Sequence, residues 1–185
     1  MGNVIVSEFV SVDGVMEDPV WTFEFDRGDD GDAFKLDEVM ASDALLLGRV
    51  TYEGFAEAWP GQTDETGFAD KFNSMTKYVV STTLEEPLEW NNSTLIDENV
   101  ADEVSTLKQE LDGDILVNGS AQLVQTLMEH DLVDEYRLMT FPVILGNGKR
   151  LFEDPSDTTA LQLVDTKTVG SDVLILTYQP ERQEN

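Results

Sequence analysis

The chain has 185 residues, 41% of them hydrophobic, enough to bury one sizeable core and too few for two comfortable domains, so a single domain spanning 1–185 is expected. Its 38 acidic residues against 11 basic ones leave a formal charge of −27 spread along the whole length, a surface that repels a phosphate backbone and so excludes nucleic acid as a partner. With no cysteine, disulfides and thiolate metal sites are excluded as well, and a single histidine, His130, cannot form a His cluster, which argues against zinc chemistry and a Ser-His nucleophile.

No stretch approaches the roughly 18 apolar residues of a membrane span, and Met1–Val6 lacks a basic region before an apolar run. A cytoplasmic protein with no membrane partner is expected. At molar salt the Debye length is only about 3 Å, so self-repulsion is screened and so acidic a surface stays compact. The composition points to a salt-loving source.

Val4–Val10 is rich in β-formers and ends at Ser11-Val12-Asp13-Gly14, where Asp-Gly marks a turn. From Glu17 to Asp32 periodicity is weak, although Trp21, Phe23 and Phe25 alternate among acidic residues, and a loop of this length usually carries function. Asp32 is expected to cap a helix through Phe34, Leu36, Val39 and Met40, followed by a buried strand, Ala44–Leu47. Gly48-Arg49-Val50-Thr51-Tyr52 turns that strand into a helix stopped by Trp59-Pro60-Gly61. Phe68, Phe72 and Met75 fall at helical spacing before the strand Tyr78–Ser81.

Ser93–Ile96 is a weaker strand, and Val100, Val104, Leu107 and Leu111 form the apolar stripe of a further helix. Asp114–Val117 is a strand running through Asn118-Gly119-Ser120-Ala121 into an amphipathic helix carrying Leu123, Val124, Leu127 and Met128. His130 closes that helix as a partner for its dipole. Tyr136–Phe141 is a strand, and Leu161–Val169 with Val173–Tyr178 make an antiparallel hairpin around Gly170-Ser171-Asp172. Strands alternating with helices imply an α/β fold whose mostly parallel sheet is covered on both faces, with an antiparallel C-terminal edge.

In such sheets ligands bind where strands lead into helices. At Gly48-Arg49-Val50-Thr51, backbone amides, a hydroxyl and a guanidinium fork can face an anion; the alternative is a tight turn with a solvated arginine. The scarcity of cations favours the anion site. Asn118-Gly119-Ser120-Ala121 repeats that geometry, with a plain N-cap by Ser120 or Asn118 as its alternative. Ser81-Thr82-Thr83 offers hydroxyls at a third strand end. Lys149 and Arg150, adjacent cations after Gly146-Asn147-Gly148, suit a substrate phosphate, a dimer contact or a solvated turn. Trp21, Phe23 and Phe25 either wall a planar substrate or fill the core.

Taken in order, Ser11-Val12-Asp13-Gly14, Leu47–Tyr52, Val80-Ser81, Val117–Ser120 and Pro142–Phe152 resemble the dihydrofolate-reductase-like fold, and within it the RibD C-terminal reductase family. The resemblance runs from about Val4 to Tyr178. It implies a three-layer α/β/α domain and an NADPH-dependent reductase of a small heterocycle. The nearest activity is reduction of 5-amino-6-(5-phosphoribosylamino)uracil in riboflavin synthesis, with dihydrofolate reduction or a non-catalytic nucleotide-binding module as alternatives.

By the same resemblance, Gly48, Arg49 and Thr51 hold the cofactor, with Arg49 and Ser81 or Thr82 near the 2′-phosphate. Asn118, Gly119, Ser120 and Ala121 lie along the pyrophosphate, and Asp13-Gly14 covers the nicotinamide. Trp21, Lys149 and Arg150 contact the substrate. Reduction also needs a proton source. Asp32, 16 residues before Gly48, matches the dihydrofolate reductase carboxylate, and Asp13 is the other choice. A homodimer is implied by family resemblance alone.

Overall fold

The computed structural model describes residues 1–153 and 158–181. Eight strands form one sheet: β1 (Val4–Ser11), β2 (Ser42–Gly48), β3 (Thr76–Val80), β4 (Ser93–Ile96), β5 (Asp114–Val117), β6 (Glu135–Phe141), β7 (Leu161–Val169) and β8 (Val173–Pro180). Their spatial order is β4-β3-β2-β5-β1-β6-β8-β7. The first six are parallel, while β8 runs antiparallel to both β6 and β7. The hairpin expected at the C-terminus is therefore present, with β8 inside the sheet and β7 at its edge.

The helices are α1 (Gly28–Ala41), α2 (Arg49–Ala58), α3 (Phe68–Ser74), α4 (Val100–Glu110) and α5 (Ala121–Glu129). Alternate residues of each strand feed opposite layers. On one face Val4, Val6, Ile115 and Val117 pack with Val104 and Leu107 of α4 and Leu123, Val124 and Leu127 of α5. On the other, Ile5, Leu45, Leu47 and Val79 pack with Val39 of α1, Tyr52 of α2, Phe72 of α3 and Trp90. Side chains buried this fully contribute about 1.5–3 kcal/mol each, and they fix the register of the central strands. A third cluster gathers Met139, Phe141, Val169, Val173 and Ile175 under Phe9, Trp21 and Phe25.

Two differences from the sequence reading have local causes. The helix expected to be capped by Asp32 begins at Gly28, with Arg27 at the cap position, so Asp32 lies inside the first turns of α1. Asp29 and Asp30 occupy the first turn, where the helix dipole favours negative charge, and Asp26 Oδ1 accepts the Gly28 N–H at 2.7 Å. The acidic run that reads as solubilising loop is the helix N-terminus. The segment before it holds a short 3-10 helix, Pro19–Glu24, opened by proline and too short to show a period. Among the described residues no helix is long and apolar enough to cross a membrane, and no three His, Cys, Asp or Glu side chains gather as metal ligands would.

Candidate functional site

Strands β2 and β5 are neighbours, so the turns that follow them leave the sheet side by side. The Gly48 N–H donates to Gly119 O at 3.0 Å. A Cβ on Gly48 would fall onto the Ser120 hydroxyl and within 2.9 Å of Ser120 N, and a Cβ on Gly119 would lie 2.7 Å from Thr51 Oγ1 and 3.4 Å from Met16 Cε. Only glycine allows this approach at both turns, and Gly119 also has φ +103°. Gly48, Thr51, Gly119 and Ser120 thus meet in one cradle, with Met16 at its rim.

Two helix N-termini open onto this cradle. Gly48 is the cap residue of α2 and supplies no side-chain bond, which leaves the first-turn amides of α2 available. Ser120 caps α5, its Oγ accepting the Leu123 N–H at 3.3 Å, so the plain N-cap alternative for Ser120 is realised in addition to the cradle. Ala121 begins α5, and Asn118 Nδ2 donates to Ser7 O at 2.8 Å, tying this turn to β1. The Gly119–Ser120 peptide is cis.

Arg49 starts α2 half-exposed, with Nη1 2.8 Å from Glu53 Oε2. An exposed pair of this kind is worth less than about 1 kcal/mol, so the guanidinium is readily released to a stronger anion. Ser81 is arranged differently from expectation. It is buried, and its Oγ accepts the N–H groups of Thr83 and Leu84, both at 3.1 Å. That hydroxyl closes its own turn, leaving Thr82 as the exposed member of the pair.

The loop after β1 is latched rather than open. Asp13 accepts from Ser11 Oγ at 2.6 Å, Leu145 N at 3.1 Å and Gly146 N at 2.8 Å, and these bonds hold its carboxyl down near a pKa of about 2. A carboxylate held this way is an anchor and does not give up a proton near neutrality. Arg150 Nε donates to Asp13 O at 2.9 Å, with Nη2 3.8 Å from Asp13 Oδ2, so its guanidinium braces the loop. The Lys149 carbonyl accepts from Met16 N at 2.9 Å, while its N–H donates to Glu17 Oε2. Pro142–Phe152 therefore serves as the strap that holds the Asp13-Gly14 loop.

Asp32, away from the cap position, has a side chain 65% exposed and 2.6 Å from Arg27 Nε. The carboxylate of α1 that reaches the sheet is Glu38, 3% exposed, which accepts from Ser7 Oγ at 2.8 Å and pairs with Lys35. Lys35 Nζ also donates to Ser7 Oγ at 2.8 Å, and Arg137 of β6 lies 3.6 Å from Glu38. Trp21 is half-buried, edge-on to Phe141 at 5.6 Å, whereas Phe23 is 87% exposed. The aromatic triplet divides between core and surface.

Sequence reasoning passed over Ser7 and Glu8. The signal was there, since two polar residues interrupt an otherwise apolar strand that becomes the central parallel strand β1. Glu8 is 7% exposed, and its Oε1 has no hydrogen-bond partner among the described residues. A separate cavity of about 380 Å3, lined by Thr76, Pro87, Trp90 and Ser93 among others, opens at the opposite ends of β3 and β4 and includes none of these groups.

A parallel sheet in this strand order, with two glycine turns converging on its carboxyl edge, has the architecture of the dihydrofolate reductase-like α/β proteins. Dihydrofolate reductase from Enterococcus faecalis, solved with NADP(H), shares the fold at a TM-score of 0.63 over 98% of both chains, with 15% identity. The chain belongs to the RibD C-terminal domain family, whose model matches residues 3–175. Protein YyaP of Bacillus subtilis (strain 168) is 35% identical over 139 residues, 74% of this chain and 73% of that one. A riboflavin biosynthesis protein from Shewanella sp. PV-4 superposes with a TM-score of 0.80 and 22% identity, covering 97% of this chain and 99% of the other.

Proposed function

We propose that this chain is an NADPH-dependent reductase of a small heterocyclic compound, its nearest activity being reduction of 5-amino-6-(5-phosphoribosylamino)uracil. The observation that carries the reading is the contact between the Gly48 and Gly119 turns, whose shape only glycines permit. The cradle fits a pyrophosphate: backbone amides at two helix N-termini and the Thr51 hydroxyl are donors suited to phosphate oxygens, and the first turns of α2 and α5 carry no acidic residue. A reduced nicotinamide supplies hydride when bound there.

The residues of this chain then divide the work. Gly48, Thr51, Gly119 and Ser120 hold the phosphates. Arg49, freed from Glu53, would hold the 2′-phosphate together with Thr82, its guanidinium supplying positive charge and donors. The Asp13-Gly14 loop, strapped by Arg150, brings Met16 over the cradle and keeps water out. Titrating NADPH and NADH at molar salt while following nicotinamide fluorescence tests the reading: NADPH should bind at least tenfold more tightly. Absence of binding, or equal binding of the two, would overturn it.

Two subsidiary proposals accompany this one. The −27 surface charge suits a cell interior rich in salt. Two copies pair in solution, consistent with β7 being an edge strand whose Leu163 and Val164 are about half exposed. A monomer in sedimentation at molar salt would refute the pairing.

A further inference from the structure

The three strands at the antiparallel end of the sheet carry all their charge on one face. Residues paired across strands point the same way, so Arg137, paired with Thr177, shares its face with Asp165, which pairs with Thr177 from the other side. Arg137 reaches Glu38 of α1, which marks this as the α1 face, and Glu135 and Lys167 lie on it by strand alternation. These four are the charged residues of β6, β7 and β8. The opposite face presents Leu163, Thr166 and Thr168 of β7 beside Tyr178, Leu176 and Leu174 of β8, to which they are paired.

That face is also incompletely covered. β8 has a strand on either side, yet Leu174, Leu176 and Tyr178 are half-buried where the intervening Val173, Ile175 and Thr177 are buried. Leu163 is 49% exposed, and among the described residues Leu163, Leu174 and Leu176 join none of the three core clusters. Charge decides what covers them. Two bodies of charge −27 repel unless their contact keeps carboxylates apart, and this face does so: paired about a two-fold axis, each copy meets the other with the same uncharged side chains. A basic partner would be drawn to the acidic surface and gains nothing here. The free edge of β7 is the other way to join two sheets, but its pairing slips between Leu163 and Asp165, a bulge of the kind that discourages strand addition.

We propose that a second copy of this chain covers this face, the two β6-β8-β7 layers packing sheet on sheet so that Leu163, Leu174 and Leu176 are buried between them. This names the surface for the pairing of two copies given above and rests on that pairing. Phe152, 39% exposed, lies edge-on to Tyr136 at 5.7 Å, and Tyr136 is paired with Tyr178. The contact therefore reaches the end of the strap that holds the Asp13-Gly14 loop.

Sedimentation equilibrium in molar KCl tests the face with two neighbouring substitutions of the same strand. The unaltered protein should be a dimer whose dissociation constant falls about tenfold between roughly 0.5 and 3 M KCl, because repulsion is screened and the contact holds no ion pair to weaken. Thr166→Glu sets a carboxylate on the uncharged face and should weaken pairing about a hundredfold. Lys167→Glu, one residue along and on the α1 face, should change it less than about threefold at molar salt. Both positions are exposed, so both variants should fold, and Thr168→Glu repeats the first test should Thr166→Glu not. A dimer that tolerates Thr166→Glu, or that weakens equally in both variants, would overturn this face and leave the pairing standing. A monomeric unaltered protein would overturn the pairing and the face together.

Discussion

Replacing Glu8 by glutamine isolates what it costs this fold to keep a carboxyl within its central strand. Desolvation raises that carboxyl from 4.5 to about 8, so across this window the folded chain holds a proton that the unfolded chain has released. The contribution to stability is complete below pH 4.5 and is lost as the pH climbs through 8. Each unit in the window removes about 1.4 kcal/mol, and the whole excursion approaches 5 kcal/mol, comparable to the low end of a domain's total stability. Glutamine keeps the shape and has no proton to lose. Urea unfolding in molar KCl at pH 5 and pH 8 measures the difference, because repulsion among surface carboxylates is common to both proteins and largely screened. Between those two pH values the unaltered protein should lose more stability than Glu8→Gln, by on the order of 3 kcal/mol. Parallel stability curves for the two proteins would refute the reasoning.

Gly119→Ala forces a side chain into a backbone at φ +103° and against Thr51 Oγ1; it should cost about 1–3 kcal/mol in thermal unfolding and abolish measurable NADPH binding by fluorescence. Gly48→Ala, at an ordinary φ of −74°, tests the close approach alone and should weaken NADPH at least tenfold with a smaller loss of stability. Asp13→Ala should speed amide exchange at Leu145 and Gly146. In the unaltered protein that protection, contributed by a carboxylate whose pKa is depressed, is complete above pH 3.8 and lost as the pH falls through about 2. Lys77 is fully buried, and its Nζ donates to the carbonyls of Asn73, Met75 and Asn91 below the Trp90 ring. Lys77→Met leaves those acceptors without this donor and should cost about 3 kcal/mol, read as a lowered Tm.

Strand and helix order were legible because the burial layers impose simple periods. The run Ala44–Leu47 and the stripe Leu123, Val124, Leu127 occupy the layers that their patterns suggest. The glycine turns were legible as candidate anion sites for the same reason, each being the exit of an apolar strand. Their contact was not, since nothing along the chain says that β2 and β5, separated by two strands and three helices, lie side by side. Acidic residues were the least legible. In a chain with 38 of them, an Asp that begins a helix, one that latches a loop and one that pairs with a surface arginine look alike, so Asp32 stood out by its offset although Glu38 is the carboxylate that reaches the sheet.

The amino-acid order by itself determined an α/β fold with a hairpin at its end, two glycine-bearing strand exits and a net charge of −27, because periodicity, turn chemistry and net charge are properties of neighbours or of sums. The tertiary structure decided which exits touch, which arginine braces a loop, and that one glutamate of β1 is shut away from water. Those are matters of distance and burial, which arise only when strands far apart in the chain pair, and a carboxyl's charge state follows from its surroundings and not from its place in the sequence.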